Sequence, residues 1–403
     1  MRVCKIWDAD YPWDVRVEKI CTALTARGHD VHLVARNRSL RSIVEELPEA
    51  TVHRLGPLPF VPAIVQQASM FPAFFNPRWL RIIRSTAEST NSDIIMCRDL
   101  PLAPAAIRVG RLLDLPVVLD MAENYPAMIQ ALWDAGTQGP WDWMVRNVRA
   151  VRAVERWVLP RLDHIFVVVE ESRDRLLELG VEPDRITIVS NTPPLEKIGQ
   201  LPGEPSGDPE GPVRLVYLGL MEVPRGIDTA IHAVSVLRQR GTKVELELIG
   251  KGRDLPRFRR QAEELGMLDN GVVFHGFVPQ EAALRIVARA DVGLIPHVAD
   301  GLCNTTVPNK LFDYMALGLP VVASDTIPVQ RILRETGGGV VFPSGDVQGM
   351  VGALENMLDA YRRRECAARG QEAVREWYNW GNDAERLVSV LEELAITGAK
   401  APA

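Results

Sequence analysis

The chain has 403 residues, of which 47% are hydrophobic, so it is long enough for two domain cores and too apolar for extended disorder. A formal net charge of −6 excludes general affinity for nucleic acid, which requires a basic surface. The five scattered cysteines contain no C-x-x-C pair, which argues against a disulfide framework or a cysteine zinc site.

The start of the chain and its apolar runs bear on its location. The chain opens on the strand-like MRVCKIW, from which we expect no signal peptide, and no run reaches the roughly 18 apolar residues of a membrane span. We expect a cytoplasmic protein, with peripheral contact to the inner face of a membrane as an alternative. The aromatic-rich segments 57–84 and 133–157 suggest that alternative, but we favour their packing on a sheet.

Strand and helix patterns alternate through residues 1–190. Asp14 suits the N-cap of the first helix. Strands are predicted at VCKIW, VHLVA, DIIMC, PVVLD, HIFVVV and ITIVS, and helices at 14–27, PLAPAAIRVGRLL and SRDRLLELG. This alternation predicts a parallel sheet with helices on both faces.

Proline, glycine and acidic residues dominate 191–212, which we interpret as an interdomain linker. The alternation resumes over 213–374, and a last helix is predicted over 375–395, with Trp377 and Trp380 packing. The strands of this half are RLVYLG, VELELIG, VVFHG, VGLIP and VVAS, and its helices lie at 227–240, 256–265, 280–289 and after Pro308. The sequence therefore predicts an α/β protein of two doubly wound, Rossmann-like domains facing across a cleft.

The segment NTTVPNKLFDYMALGLPVVASD places a cation and a carboxylate one helical turn apart. Pro308 suits the first helical position, and Gly318 with Pro320 ends the helix. Lys310 and Asp313 share one face of that helix. A cation beside a helix N-terminus suits a phosphate, and a carboxylate one turn later suits the paired hydroxyls of a ribose. A salt bridge on a solvated face explains the same spacing equally well.

Two further turns join a glycine to a cation after a predicted strand. YLGLMEVPRGID places Arg225 and Gly226 at a helix start, and LIGKGRD places Gly250 and Lys251 after the next strand. Each turn offers backbone N–H groups and a positive charge to an anion. Three such features in one half of the chain indicate phosphate binding more specifically than any one alone.

These segments resemble the donor half of the retaining family-four glycosyltransferases, which have the GT-B fold of two facing Rossmann-like domains. The matching segments are YLGLMEVPRGID, LELIGKGRD, VVFHGFVP, ADVGLIP, VPNKLFDYMALGLPVVASD, DYPWDVRVEKICTALTARGHDVHLVAR, CRDLPLAPAAIRVGRLLDLPVVLDMAENYP and HIFVVVEESRDRLLELGVEPDRITIVSN. The resemblance covers most of the chain and implies that the 375–395 helix returns to the N-terminal, acceptor-binding domain. It also implies metal-independent transfer of a sugar from a nucleoside diphosphate sugar, expected to be UDP-linked, to a hydroxyl of a glycan, a lipid-linked or a small-molecule acceptor.

The resemblance implies roles for residues of the second half. Arg225 stands at the position of a phosphate-binding lysine, and Leu220 at that of a second cation. Lys310 then replaces this cation, as in the subset that carries P-N-K-L-F-D/E-Y-M-A. The nucleotide-binding residues implied are Arg225, Gly226, Gly250, Lys251, Phe277, Lys310 and Asp313. Thr305 stands in place of an acidic residue, so sugar binding is assigned to Asn304, Thr305, Thr306 and Val307.

The first half departs from the family at VLDMAENYP, where Ala122 stands in place of a common histidine near the donor sugar. Either neighbouring polar groups replace that histidine, or activity is lost. The catalytic residues implied are Arg225, Lys310, Glu123 and Asp120, and the acceptor-side residues are Asp14, Arg16, Arg98, Asp99 and Asn124. For Arg16, a surface ion pair with Glu18 or Asp14 is an equally good interpretation.

We expect no cofactor and no metal. The D-x-D in WDAD ends the first strand of a Rossmann unit, so polar loop contacts are preferred to metal binding, and His275 and His297 are expected to be structural. The expected partners are the donor and the acceptor, without nucleic acid. Two alternatives remain: a non-catalytic nucleotide-sugar-binding partner of another transferase, and a GT-B sugar epimerase.

Overall fold

The computed structural model describes residues 1–12, 14–56, 74–134, 136, 146–198 and 211–398. The chain divides into two compact units, unit 1 from Met1 to Val189 together with the residues from Asp383 onward, and unit 2 from Ser190 to Asn382. The expectations for 57–73 and 137–145, within the two aromatic-rich segments, lie outside the described residues, as does 199–210 of the predicted linker.

Unit 1 contains an eight-stranded sheet whose strands follow the predicted apolar runs. The strands are β1 (Arg2–Asp10), β2 (Asp30–Arg36), β3 (Val44–Leu47), β4 (Ala50–Arg54), β5 (Ile94–Arg98), β6 (Val117–Met121), β7 (His164–Val167) and β8 (Ile186–Ile188). They pair in the order β3-β4-β2-β1-β5-β6-β7-β8. All neighbours are parallel except β3 and β4, an antiparallel pair at one edge that the sequence did not predict.

The helices of unit 1 connect these strands and cover the sheet. They are α1 (Val15–Ala26), α2 (Pro77–Ser89), α3 (Ala103–Leu113), α4 (Tyr125–Asp134), α5 (Val148–Val158) and α6 (Glu170–Glu178). Asp14 is the N-cap of α1, as predicted, because its carboxylate accepts the N–H groups of Arg16 and Val17. Trp79 and Ile83 of α2 are fully buried in the core on one face of the sheet.

Unit 2 contains a parallel six-stranded sheet. Its strands are β9 (Val213–Leu218), β10 (Val244–Ile249), β11 (Val272–Gly276), β12 (Val292–Ile295), β13 (Val321–Ser324) and β14 (Gly339–Phe342). Their order, β11-β10-β9-β12-β13-β14, is that of a doubly wound fold, with the reversal at β9 and β12. Ligands of such sheets bind at the carboxyl ends of the strands beside that reversal.

The remaining helices belong to unit 2, except for most of the last one. They are α7 (Leu195–Ile198), α8 (Ile227–Gln239), α9 (Leu255–Glu264), α10 (Gln280–Val287), α11 (Asn309–Ala316), α12 (Ile327–Thr336), α13 (Val347–Asn356), α14 (Ala360–Glu376) and α15 (Trp380–Gly398). From Asp383 onward, α15 belongs to unit 1. In the described part of the chain, no helix combines the length and apolar character that a bilayer crossing requires.

Two details near the C-terminus correct the sequence analysis. The single helix predicted over 375–395 is interrupted after Glu376, because the Asn379 side chain accepts the N–H of Asn382 at 3.0 Å and begins a new helix there. Trp380 is buried as predicted, but Trp377 is 60% exposed and does not pack in a core.

Candidate functional site

Three loops meet through their backbones at the carboxyl edge of the unit 2 sheet. A Cβ atom on Gly250, after β10, would lie 1.8 Å from the carbonyl oxygen of Gly219, after β9. A Cβ on Gly226 would lie 1.8 Å from the carbonyl oxygen of Pro296, after β12, and Gly226 has a φ of +63°. Only glycine permits these approaches, so the loops form one close-packed surface where β9 and β12 diverge.

Two cations lie on this surface. The Nζ atom of Lys310, in the first turn of α11, is 3.9 Å from the centre of the Tyr217 ring. Burial lowers the pKa of Lys310 well below its ordinary value, the charge of Arg225 lowers that pKa further, and Asp313 partly opposes both. Arg225 and Lys310 therefore repel one another within one site, and the burial of Lys310 argues against a salt bridge on a solvated face.

The position of Lys310 depends on an aromatic residue one turn later in α11. The hydroxyl of Tyr314 accepts the N–H of Leu218 at 2.9 Å, at the end of β9. The Tyr314 ring also packs on Gly293 of β12, where a Cβ would lie 2.3 Å from a ring carbon. Because residues four apart share one helix face, Tyr314 fixes Lys310 beside the same strand ends.

The residues predicted to contact the nucleotide also lie at this edge. Lys251 follows β10, and its Nζ lies 4.5 Å from the centre of the Phe277 ring, which follows β11 and is 64% exposed. The N–H of Gly250 donates to the carbonyl of Gly276 at 2.8 Å, so the two loops are adjacent. Asp313 is partly buried in α11, one turn after Lys310.

The loop assigned to sugar binding uses its side chains within unit 2. The Asn304 side-chain oxygen accepts the N–H of Ile327 at 3.0 Å, at the start of α12. The Thr305 hydroxyl donates to the carbonyl of Gly301 at 2.8 Å, and the side chain of Val307 is buried. Sugar binding by 304–307 stays a prediction, and these contacts favour main-chain groups over the Asn304 carbonyl or the Thr305 hydroxyl as its source.

In unit 1, Asp120 forms a buried ionic cluster. Its Oδ1 accepts hydrogen bonds from Nε and Nη2 of Arg16 at 2.9 and 2.7 Å, and its Oδ2 lies 3.8 Å from Nζ of Lys5. Although burial opposes the charge, Arg16 and Lys5 lower the pKa of Asp120 to about 2. Arg16 is 4% exposed, so the surface ion pair is wrong. The full burial of Asp120 favours a positioning role over direct contact with substrate.

Arg98 and Asp99 lie beside this cluster. Nη1 of Arg98 donates to Oδ1 of Asp14 at 2.6 Å, and Nε of Arg98 lies 3.4 Å from Oδ2 of Asp99. Asp99 has φ 57° and ψ 170°, a conformation that is costly for any residue except glycine and that occurs mainly at functional sites. Burial raises the pKa of Asp99 to about 6 against the opposing charge of Arg98, and Glu123 adds to the rise.

Asp99 also contacts Ala122, the residue that stands in place of the family's histidine. Its Oδ1 accepts the N–H of Ala122 at 3.0 Å. The side chain of Asn124 is buried and accepts the N–H of Ala127 in the first turn of α4, whereas Glu123 is exposed. Asp99 and Glu123 are therefore better placed than Asn124 for new polar contacts near Ala122.

The D-x-D pair at the end of β1 takes part in loop contacts. Asp8 pairs with Arg36 at 2.5 Å, and Asp10 accepts two backbone N–H groups and a hydroxyl from residues 38–39. Among the residues that the structure describes, no group of three or more histidine, cysteine, aspartate or glutamate side chains is placed to hold a metal ion.

Comparison with known proteins identifies the family. The profile described as "Glycosyl transferase 4-like domain" matches residues 14–192, and the profile described as "Glycosyl transferases group 1" matches residues 212–360. Together they span most of the chain.

The chain is a group 1 glycosyltransferase.

Similar proteins extend over the full length of this glycosyltransferase. A phosphatidyl-myo-inositol mannosyltransferase of Mycobacterium leprae is 26% identical over 401 residues, which cover 97% of this chain and 96% of the relative. A sucrose-phosphate synthase from Thermosynechococcus elongatus has a TM-score of 0.75 at 17% identity and covers 98% of this chain and 99% of its own. Anabaena HepE in complex with UDP has a TM-score of 0.71 at 13% identity, with coverage of 98% and 100%. The predicted α/β fold class, two parallel-sheet domains of the GT-B type, is confirmed.

Two buried polar residues of this glycosyltransferase have environments that its sequence did not predict. Lys5 is fully buried in β1 beside Asp120, and the signal for it was a lysine inside the apolar run VCKIW. His297 was expected to be structural, but its Nε2 is buried and has no hydrogen-bond partner in the described part of the chain. No sequence pattern distinguishes this histidine from one with satisfied hydrogen bonds.

Proposed function

We propose that this glycosyltransferase is a retaining enzyme that moves a sugar from a UDP-linked donor to a hydroxyl of a glycan, a lipid-linked or a small-molecule acceptor. The observation that supports this most strongly is the convergence of Arg225 and Lys310 on the glycine loops of unit 2, at the carboxyl ends of β9 and β12. Two cations that repel one another favour a ligand with at least two negative charges, such as a diphosphate.

The same geometry suits the chemistry of transfer. The bond from the sugar to the diphosphate breaks, negative charge develops on the departing oxygen, and that oxygen accepts the proton of the acceptor hydroxyl. Arg225, Lys310 and the N-terminal N–H groups of α8 and α11 stabilise the developing charge, which is commonly the largest contribution in such reactions. The protein cations supply this stabilisation in our proposal without a metal ion.

The relatives support the donor and the acceptor classes. The solved HepE structures contain UDP, and one contains UDP-glucose. A phosphatidyl-myo-inositol mannosyltransferase acts, by its name, on a lipid-linked acceptor. We assign this enzyme to the cytoplasm, with peripheral membrane contact where the acceptor is lipid-linked, because its five cysteines are buried and free, as a reducing compartment allows.

Donor binding tests the first half of the proposal. Titration calorimetry with UDP, GDP and dTDP ranks the bases, and we expect UDP to bind most tightly. Because a hydrogen bond to a charged group contributes about 1.5–3 kcal/mol, Arg225→Ala and Lys310→Ala should each weaken UDP binding about 10- to 150-fold. The matched control is Arg240→Ala, which removes an exposed arginine of unit 2 paired with Glu355 and should leave the affinity unchanged.

Product analysis tests the second half. Purified enzyme with UDP-sugars and candidate acceptors should release UDP in the presence of EDTA, and the anomeric configuration of the product, read by NMR, should match that of the donor. Inverted product, or full turnover by Arg225→Ala or Lys310→Ala, would refute the mechanism. UDP binding without transfer to any acceptor or cell lysate would favour a non-catalytic role.

A further inference from the structure

His297 is a buried imidazole beside the two cations of unit 2. It follows β12 and is 3% exposed, and its Nε2 has no hydrogen-bond partner among the described residues. Leaving a buried polar group without a partner costs about 1–3 kcal/mol. Such groups are uncommon in folded proteins, and this one requires a physical explanation.

The backbone around His297 is fixed by the end of β13 and by the loop that follows β9. The hydroxyl of Ser324, the last residue of β13, donates to the carbonyl of His297 at 2.5 Å. The N–H of Val298 donates to the carbonyl of Pro224 at 2.9 Å, and Pro296 packs on Gly226. The imidazole is therefore held next to the turn that carries Arg225, and it is not part of a loosely packed surface loop.

The charged groups that act on the imidazole are both cations. Burial lowers the pKa of His297 well below its ordinary value, and the charges of Lys310 and Arg225 lower it further. His297 is consequently neutral at pH 7. Two cations thus act on one neutral imidazole, and a bound diphosphate would reverse the field that keeps the histidine neutral.

Building on the proposed function, we propose that His297 is a third diphosphate-binding residue, which takes up a proton from solvent and donates a hydrogen bond from Nε2 to the bound diphosphate. The reaction consumes one proton and breaks no covalent bond: neutral imidazole, proton and diphosphate give an imidazolium–diphosphate pair. Because Nε2 has no exposed surface before binding, the proposal requires neighbouring side chains to move when the diphosphate binds.

This proposal makes the affinity for diphosphates depend on pH. The bound state holds the proton more tightly than the free state, so binding strengthens as pH falls through the pKa of His297 in the complex. Charge-assisted hydrogen bonds are about twice as strong as neutral ones. We therefore expect His297→Gln to weaken UDP binding roughly tenfold at pH 6.5 and less at pH 8.5.

Calorimetry in two buffers of different ionisation enthalpy counts the protons taken up when UDP binds. The wild-type enzyme should take up a larger fraction of a proton than His297→Gln, and UDP's own ionisation contributes equally to both. His275→Gln is the matched control, because His275 is a histidine of unit 2 that already pairs with Glu247, at 3.2 Å, and it should behave as wild type. Equal proton uptake by wild type and His297→Gln would overturn the proposal.

A second measurement follows the protonation of His297 in the wild-type enzyme itself. Histidine ring resonances from 13C-labelled protein give the pKa of His297 with and without UDP, and the signal absent from His297→Gln identifies it. A pKa that stays low in the complex would overturn the proposal. Proton uptake at His297 without any glycosyl transfer would support it and refute the proposed function, whereas no binding of UDP, GDP, dTDP or inorganic diphosphate would overturn both.

Discussion

Replacing Asp120 by asparagine should destabilise unit 1. The substitution keeps the shape of the side chain and removes the charge that pairs with Arg16 and Lys5. Asparagine cannot neutralise the buried guanidinium, so we expect a large loss of the free energy of unfolding. Because Lys5 already has a pKa lowered by burial, it will lose its proton in the variant and limit that loss.

The pKa of Asp120 sets the magnitude. It falls from an ordinary 3.8 to about 2, and each unit corresponds to about 1.36 kcal/mol, which gives about 2.4 kcal/mol. Removing one partner of a buried ion pair costs about 3–5 kcal/mol. We therefore expect a loss of about 2.4–5 kcal/mol near pH 7. A lowered carboxylate pKa contributes stability that is present above pH 4 and lost as pH falls towards 2.

Urea unfolding followed by tryptophan fluorescence measures this loss. Four of the six tryptophans that the structure describes lie in unit 1, so most of their signal reports the affected unit. The loss of stability as pH falls from 4 towards 2 should be smaller in the variant than in the wild-type protein. The control is Asp174→Asn, which removes an exposed carboxylate of α6 and should change stability by less than about 0.5 kcal/mol.

The outcome also separates structural from chemical roles for Asp120. Loss of stability with normal turnover per folded molecule would agree with a positioning role. A variant as stable as wild type, with the same loss of stability as pH falls, would refute the reasoning from burial and charge. Unchanged stability with abolished turnover would instead support direct participation in catalysis.

Two further predictions concern backbone strain and pH. Gly226 and Gly266 both have a positive φ, +63° and +66°, so replacing either by alanine should lower the free energy of unfolding by about 1 kcal/mol. Only at Gly226 would the new Cβ meet a carbonyl oxygen, so Gly226→Ala should cost about 1–3 kcal/mol more and also weaken UDP binding. Thermal unfolding and calorimetry measure both, and equal losses would contradict the close contact with Pro296. Asp99→Asn should stabilise the protein by up to about 3 kcal/mol at pH 7.5 and little at pH 4, because the raised pKa of Asp99, about 6, removes stability as pH rises from 4 to 6. A change in Tm that is independent of pH would contradict this.

The sequence predicted the central strands of both sheets because each is an apolar run ended by glycine or a polar residue. It did not predict β3, β4 and β14. β3 (VEEL) and β4 (ATVHR) form a polar hairpin at the edge of the sheet. The hairpin joins the sheet because β4 pairs with β2, a contact that its composition does not indicate. β14 is four residues long, begins at a glycine and lies at the edge of its sheet beside β13.

The donor-side cations could be found from the sequence because each accompanies a turn or helix start that is visible locally. Lys310 and Arg225 are examples, since P-N-K and P-R-G mark helix starts. Lys5 pairs with Asp120 across more than a hundred residues of sequence. The burial of His297 depends on loops that follow several different strands. Sequence spacing carries no information about such contacts.

The last helix has a consequence for biosynthesis and folding. Because α15 completes unit 1 only from Asp383 onward, the N-terminal unit leaves the ribosome without Leu387, Val388 and Leu391, which are buried in the finished protein. Unit 2 is therefore translated in full before unit 1 can complete its own core. A stop codon before residue 383 should yield a chain whose second unit is intact and whose first exposes an apolar face to chaperones and proteases.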